Sequence, residues 1–147
     1  MPQSVTRAEF FDEMAVVSRK LRGIFDARVK KRGLTLPRAR VLFILARRNH
    51  ISQRELADEM DLETPTIVRL LDAMEKQGFL ERRSESTDRR VNQVVLSEFG
   101  RKLAGEIQAL LDELREQVTS DVDDADVVSA LKVIRALGAG VQKIGKV

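Results

Sequence analysis

The chain has 147 residues, a length typical of one folded domain, and its 43% hydrophobic and 33% charged residues are ordinary for a helix-rich globular protein. It contains no cysteine, which excludes disulfides, thiolate metal sites and thiol-based redox sensing. No apolar run is long enough to span a bilayer and no secretory signal opens the sequence, so we expect a cytoplasmic protein that does not bind membranes.

Charge is unevenly distributed along the chain, although the net charge at pH 7 is only +3. Between Arg19 and Arg48, eleven Lys or Arg residues stand against Asp26 alone. From Asn49 to Leu96, seven basic residues stand against ten acidic ones. Bulk charge is therefore a weak argument for a nucleic-acid partner, and the placement of individual arginines matters more.

A first helix is predicted from a cap at Thr6, with Glu9 completing a capping box, to about Lys31, where Arg32-Gly33 ends it. Helical spacing relates its apolar residues, which are Phe10, Met14, Val17, Leu21 and Ile24. Phe11 and Val16 widen this face beyond what one neighbour would cover. The face is either ordinary core or a subunit interface, and its width favours the interface.

The next predicted helix begins after a cap at Thr35 and tolerates Pro37 in its first turn. Its core stripe consists of Val41, Leu42, Ile44 and Leu45, and its arginines are Arg38, Arg40, Arg47 and Arg48. These arginines form a solvated basic face, contact phosphates, or balance an anionic effector, and the sequence leaves the three open. His50, the only histidine, is expected at the start of a sheet, without a catalytic or metal role.

Two helices joined by a tight turn are predicted next. Ser52 and Glu55 form a capping box for the first helix, and Asp61-Leu62-Glu63 makes the turn, since Asp tolerates a left-handed backbone. Thr64 is predicted as the cap of the second helix and Pro65 as its first residue. The residues predicted to face the core are Ile67, Leu70, Leu71 and Met74. The outward face then carries Pro65, Thr66, Val68, Arg69 and Asp72.

A two-stranded wing is predicted after Gly78, which ends the second helix. The first strand covers Phe79 to Ser84, a polar loop covers Glu85 to Arg90, and the return strand covers Val91 to Leu96. Val94 and Leu96 share one face of the return strand. A helix-turn-helix can lay its second helix in the major groove of DNA, and a wing arginine is favoured in the minor groove.

Ser97 is predicted to cap a long helix, a break covers Ser120 to Asp124, and a last amphipathic helix follows. The acidic run of Asp121, Asp123, Asp124 and Asp126 suggests calcium only superficially. It lacks the glycine and the final Glu of a calcium loop, and acids at a helix start are favoured by the helix dipole. No metal site and no cofactor are expected.

The string LETPTIVRLLDAMEKQGFLERR together with TDRRVNQVVLSEFG resembles the MarR family of winged helix-turn-helix regulators, and most of all its SlyA-type branch. The family's wing signature, Asp-x-Arg before a strand that ends Leu-Ser, falls on Asp88, Arg90, Leu96 and Ser97. The resemblance covers essentially the whole chain and is strongest from Leu56 to Gly100. It implies a mainly α fold with a small antiparallel β wing. One domain would span residues 1–147, with the winged helix at about 35–97 and dimerisation helices at about 5–32 and 98–147.

The function implied is that of a homodimeric, sequence-specific regulator of transcription, a repressor or anti-silencer, that binds an inverted repeat in double-stranded DNA. Base edges would be read by Thr66, Val68 and Arg69, with Arg69 on a guanine, while Thr64 and Pro65 bring the helix start to a phosphate. In the wing, Arg90 would enter the minor groove, oriented by Asp88 and assisted by Arg89. Ser52, Gln53 and Arg54 would hold the DNA backbone.

The resemblance also implies that a small aromatic or anionic effector binds between the dimer helices and the DNA-reading helices. Arg22, Arg38 and Phe43 are the residues expected at that crevice. A winged-helix module that binds protein and not DNA is the alternative, which the acidic balance of residues 49–96 favours and the wing arginines disfavour. An enzyme is not expected, because no nucleophile and base stand at a usable spacing.

Overall fold

The computed structural model describes residues 3–48, 50–85 and 88–145, with only the backbone described at residues 3–5, 85 and 88–92. Its elements in chain order are α1 (Gln3–Lys30), α2 (Leu36–Arg47), β1 (Ile51–Ser52), α3 (Gln53–Met60), α4 (Thr64–Lys76), β2 (Leu80–Glu85), β3 (Asp88–Leu96), α5 (Glu98–Thr119) and α6 (Asp124–Ile144). The mainly helical fold with a small antiparallel sheet is confirmed.

The chain divides into two compact units, residues 1–112 and 113–147. The first unit contains α1 to α4, the sheet and α5 up to Asp112, and the second contains the end of α5 and α6. The core of the first unit combines side chains of α1 to α5 and the sheet. Its largest fully buried members are Leu34, Leu42, Leu45, Ile51, Leu56, Ile67, Leu71, Met74, Leu80, Ile107, Val29 and Val41.

α2 confirms the sequence prediction closely. The Thr35 hydroxyl accepts a hydrogen bond from the Arg38 backbone N–H, and Pro37 lies in the first turn, where its missing N–H costs nothing. The predicted stripe of Val41, Leu42, Ile44 and Leu45 is buried, and Ala39 joins it. Burial of this stripe fixes α2 in the core of the first unit.

The sheet has three strands in the order β1-β3-β2, whereas two were predicted. β1 is too short for its alternation to be recognised, but Ile51 pairs with Val94 and is buried. β3 starts at Asp88, not Val91, because Glu85 pairs with Asp88 after a register irregularity at Ser84/Glu85. Backbone hydrogen bonds continue the pairing of β2 and β3 through this polar segment, so its polar side chains do not end the strands. Val94 and Leu96 are both buried, as predicted.

α1 starts at Gln3, so the prediction that Thr6 caps it is wrong. Thr6 lies inside the helix, where the backbone of the preceding turn already supplies hydrogen-bond partners. The other end agrees with the prediction, since α1 stops at Lys30 and Gly33 has a φ of +77°. The side chains of Phe10, Phe11, Val17 and Ile24 are exposed in the single chain.

α6 begins after the predicted break and contains no buried residue. Val128 and Ile144 are 69% and 74% exposed, and further exposed apolar side chains of this helix are Val127, Leu131, Val133, Ile134 and Val141. Asp123 occupies the cap position, with Asp124 and Asp126 in the first turn, as expected for acids near the positive end of a helix dipole. The second unit therefore carries many exposed apolar side chains.

None of the helices in residues 3–48, 50–85 and 88–145 combines the length and the apolar character needed to cross a bilayer. Over the described part of the chain, no group of three or more His, Asp or Glu side chains is arranged to hold a metal ion.

Candidate nucleic-acid interface

The turn between α3 and α4 depends on one left-handed residue. Asp61 has a φ of +57° and a ψ of +43°, as predicted for this turn. The Asp61 N–H donates to the Asp58 carbonyl (3.2 Å), and the Leu62 N–H donates to the Ala57 carbonyl (3.0 Å). These two bonds satisfy carbonyls that the end of α3 would leave free, and they redirect the chain into α4.

The start of α3 is fixed by the predicted capping box. The Glu55 N–H donates to the Ser52 hydroxyl (3.1 Å), and the Ser52 N–H donates to the Glu55 carboxylate (3.3 Å). Hydrogen bonding to the side chain and backbone of Ser52, together with the nearby Arg48, holds the pKa of Glu55 below its ordinary value of 4.5. Ser52 therefore has a structural role, and its hydroxyl hydrogen remains available as a donor.

We expect Ser52→Ala to lower the free energy of unfolding by about 1 kcal/mol at neutral pH, because α3 loses its cap. The lowered pKa of Glu55 adds stability that is complete above pH 4.5 and lost as the pH falls through the folded-state pKa. Without the Ser52 hydroxyl, this acid-side loss becomes smaller. Urea unfolding at pH 7 and pH 3 measures both effects. Ser18→Ala, an exposed position inside α1, is the control, and equal effects in the two variants would contradict the capping role.

α4 separates an inward and an outward face. Ile67, Leu71 and Met74 are fully buried, and Leu70 packs at the edge of the core. On the opposite side Pro65, Thr66 and Arg69 are exposed and Val68 is half-buried. The helix starts one residue earlier than predicted, with Glu63 at the cap position, Thr64 first and Pro65 second. The Glu63 carbonyl accepts from the N–H groups of Thr66 and Ile67 without a side-chain cap, so Thr64 is not the cap.

α4 ends in a tight turn that leads into the wing. Gly78 has a φ of +83°, its N–H donates to the Glu75 carbonyl (3.0 Å), and the Phe79 N–H donates to the Met74 carbonyl (3.0 Å). Ser97 then caps α5, donating its hydroxyl to the Gly78 carbonyl (2.5 Å) and accepting from the Gly100 N–H (2.9 Å). The same serine therefore starts α5 and holds the end of α4.

Arg82 of β2 joins three elements, and sequence reasoning did not identify it. Its Nη2 donates to the Asp72 carboxylate, its Nε to Glu75 (3.3 Å) and its Nη1 to the Gln53 side-chain oxygen (3.2 Å). The Arg82 backbone N–H also donates to Glu75 (3.2 Å). Desolvation of this side chain, which is only 20% exposed, would lower the pKa of Arg82, but the hydrogen bonds to Asp72 and Glu75 outweigh it and raise the pKa.

Further ion pairs neutralise acids of the helix-turn-helix. Arg48 donates to Glu59 (2.7 Å) and to Glu55 (3.2 Å), which ties the end of α2 to α3. Arg83 pairs with Glu81 on the exposed side of β2 (3.1 Å). No described side chain pairs with Arg69. Several acids of the segment are therefore paired with arginines, while Arg69 has no ion pair among the described residues.

The three residues proposed for the DNA backbone lie together at the start of α3. Arg54 is exposed, while Ser52 and Gln53 are half-buried and engaged with Glu55 and Arg82. In the wing, Asp88, Arg89 and Arg90 belong to β3 and not to a loop, and their side chains lie outside the described residues.

The three residues expected at an effector crevice are in different environments. Phe43 is half-buried and stacks on Phe25, with ring centroids 6.2 Å apart. Arg38 donates to the Gln77 side chain (2.9 Å), and Arg22 is exposed on α1. Among the described side chains, no hydrogen bond or ring contact joins these three residues.

Comparison with known proteins agrees with this geometry. The family model of the MarR family matches residues 32–91. The crystal structure of the transcriptional regulator PA3341 shares 32% identity over 91% of this chain and 98% of that chain, with a TM-score of 0.79. Two structures of DNA complexes share the fold. Streptococcus pneumoniae FabT has 13% identity over 94% of this chain and 99% of that chain, with a TM-score of 0.85. S. aureus MepR has 16% identity over 89% and 97%, with a TM-score of 0.80. On its sequence, its fold and these matches, the chain belongs to the MarR family of winged helix-turn-helix transcriptional regulators.

Proposed function

We propose that this protein is a sequence-specific regulator of transcription that binds double-stranded DNA through α4. The outward face of α4 carries the proposal, because Ile67, Leu71 and Met74 on the opposite face are fully buried and the outward face exposes Thr66 and Arg69, which has no ion pair among the described side chains. A helix presented this way can enter the major groove, where arginine recognises guanine with two hydrogen bonds. FabT and MepR, which share the fold, have been solved in complex with DNA, and this supports DNA as the partner.

Each residue of α4 and of the start of α3 has a proposed role in binding DNA. Thr66, Val68 and Arg69 read base edges, and Thr64 and Pro65 bring the start of the helix to a phosphate. Ser52, Gln53 and Arg54 contact the DNA backbone beside the groove. The Gln53 oxygen is taken by Arg82, so its amide N–H groups are what it offers to a phosphate.

In the wing, Arg90 enters the minor groove, with Asp88 orienting it and Arg89 assisting. The antiparallel pairing of β2 and β3 supports this role, because it stiffens the hairpin that carries these residues. A narrow minor groove has an enhanced negative potential that favours an inserted arginine.

Arg90→Ala tests the proposal directly. We expect it to weaken binding to DNA from the promoter of the protein's own gene about tenfold, since one charged groove contact is lost. Fluorescence anisotropy titrations at several salt concentrations measure the affinity and its salt dependence, with a scrambled duplex as the non-specific reference. Unchanged affinity would refute the wing assignment. Equal binding of both duplexes by the unmodified protein would favour the module that binds protein instead.

A homodimer is part of the proposal. The exposed aromatic and aliphatic side chains of α1 and the uncovered face of α6 support it, since apolar surface of this extent marks an interface. A two-fold axis would present two α4 helices to one face of the duplex and requires an inverted repeat with half-sites about one helical turn apart.

Regulation completes the proposal. The protein represses transcription or relieves silencing, as expected for the SlyA-type branch. It acts in the cytoplasm, where the promoter is accessible. A small aromatic or anionic effector shifts the spacing of the two α4 helices only if it binds one spacing more tightly. Arg22, Arg38 and Phe43 remain the residues proposed for its crevice. Calorimetric titration with salicylate-like anions tests this, and an absence of heat across a panel would favour a constitutive DNA binder.

A further inference from the structure

Arg69 and Asp72 are neighbours on α4 that could pair with each other. They are three residues apart on the same outward face, and side chains at this spacing on a helix commonly form ion pairs. An Arg69 held by Asp72 would lose part of the guanidinium fork that a guanine requires. The helix therefore contains, next to its proposed base reader, a carboxylate able to compete with the base.

The structure shows Asp72 engaged elsewhere. Its carboxylate accepts from Nη2 of Arg82, whose Nε and backbone N–H donate to Glu75 and whose Nη1 donates to Gln53. Four donors of one residue are thus fixed by partners on α3 and α4, and the Arg82 side chain is largely buried. A planar guanidinium held at several points is well suited to keep a carboxylate in one place.

We propose that Arg82 is a positioning residue that holds Asp72 away from Arg69 and so keeps Arg69 free to read DNA. The inference rests on the proposed function of α4. Arg82 does not touch DNA in this arrangement, because its donors are directed to protein groups. Its contribution to DNA binding passes through Asp72 and Arg69, and this separates it from an ordinary phosphate contact.

The test is a rescue experiment. Arg82→Met keeps most of the side-chain length and removes the charge, so Asp72 becomes able to pair with Arg69, and we expect specific affinity to fall about two- to threefold, the effect of one ion pair at this spacing. Adding Asp72→Asn removes the competing carboxylate, and we expect most of the affinity to return. Glu75→Gln is the matched control in the same background. Residue 75 is six positions from Arg69 and faces another direction on the helix, so this change should restore little.

Other outcomes overturn the proposal. A direct phosphate contact by Arg82 predicts no rescue by either change and a salt slope reduced by about one. Equal rescue by Asp72→Asn and Glu75→Gln would indicate bulk repulsion between carboxylates and DNA, not release of Arg69. A purely structural role predicts that Arg82→Met is destabilised and that neither carboxylate change restores binding.

Two further measurements cover the cases in which Arg82→Met does not fold or the unmodified protein does not bind its promoter. Arg82→Lys replaces Arg82→Met if the latter does not fold. Lysine engages one carboxylate at a single point, so a smaller loss is expected, again removed by Asp72→Asn. Failure of the unmodified protein to bind its promoter would overturn the proposed function itself. In that case a double-mutant cycle of Arg82 and Asp72 still measures the interaction energy of the two side chains, with urea unfolding as the readout. An interaction energy of zero would overturn the proposed engagement of Asp72.

Discussion

Gly100→Ala is expected to lower the free energy of unfolding by about 3 kcal/mol, because the added methyl group has no space. An added Cβ would lie 1.8 Å from the Phe79 carbonyl oxygen and 2.8 Å from its carbon. That carbonyl accepts from the Ser97 N–H (3.1 Å), so it cannot move away without breaking the junction. The first turn of α5 and the end of α4 would have to separate.

Gly105→Ala is the matched control on the same helix. Residue 105 is exposed and has no atom within 4 Å of an added Cβ, so alanine there should stabilise α5 by about 0.5–1 kcal/mol through its higher helix propensity. Thermal and urea unfolding of the two variants measure the contrast. Similar stabilities would show that α5 is not closely seated on residues 78–79.

Arg69→Ala is expected to weaken specific DNA binding by about 1–3 kcal/mol, roughly 5- to 150-fold, with little change in stability. Arg69 is exposed, lies in the second turn of α4 and has no ion pair among the described side chains. Its loss should relax the base preference at one position of each half-site, because a bidentate contact to guanine is removed. Anisotropy titrations against operators changed at single base pairs measure this preference.

Lys76→Ala provides the comparison for Arg69→Ala. It removes one positive charge from the same helix two turns further on, so it should weaken specific and non-specific duplexes alike. If both variants lost the same affinity on every sequence, Arg69 would be a general electrostatic contact and not a base reader.

Local signals in the sequence predicted the helix-turn-helix well. Three of these signals are the capping box of Ser52 and Glu55, the left-handed Asp61 and the glycine at position 78. Each acts through neighbours within a few residues, so the local sequence is enough to predict the helix start or the turn. The spacing of Ile67, Leu71 and Met74 predicted the buried face of α4 for the same reason.

Features that depend on distant residues were missed. β1 exists because Ile51 and Ser52 pair with Val94 and Gln93, more than forty residues away. The engagement of Asp72 by Arg82 requires the wing to fold back on α4. The spacing of Arg69 and Asp72 alone allows an ion pair between them, whereas among the described side chains Asp72 pairs with Arg82 and not with Arg69.

Ion pairs involve several of the acids that make the helix-turn-helix slightly acidic. Residues 49–96 are slightly acidic, which disfavours DNA, yet Arg48 and Arg82 each engage two of the acids on α3 and α4. Four acids of α3 and α4 are thus paired with arginines at the protein surface, whereas Arg54 and Arg69 are exposed.

The most direct measurement is enrichment of random duplexes on the purified protein, followed by sequencing of the bound fraction. We expect the unmodified protein to select an inverted repeat with half-sites about one helical turn apart. We expect Arg69→Ala to abolish this selection. Recovery of no common motif, or of an isolated half-site occupied by a single copy, would contradict the proposed mode of binding.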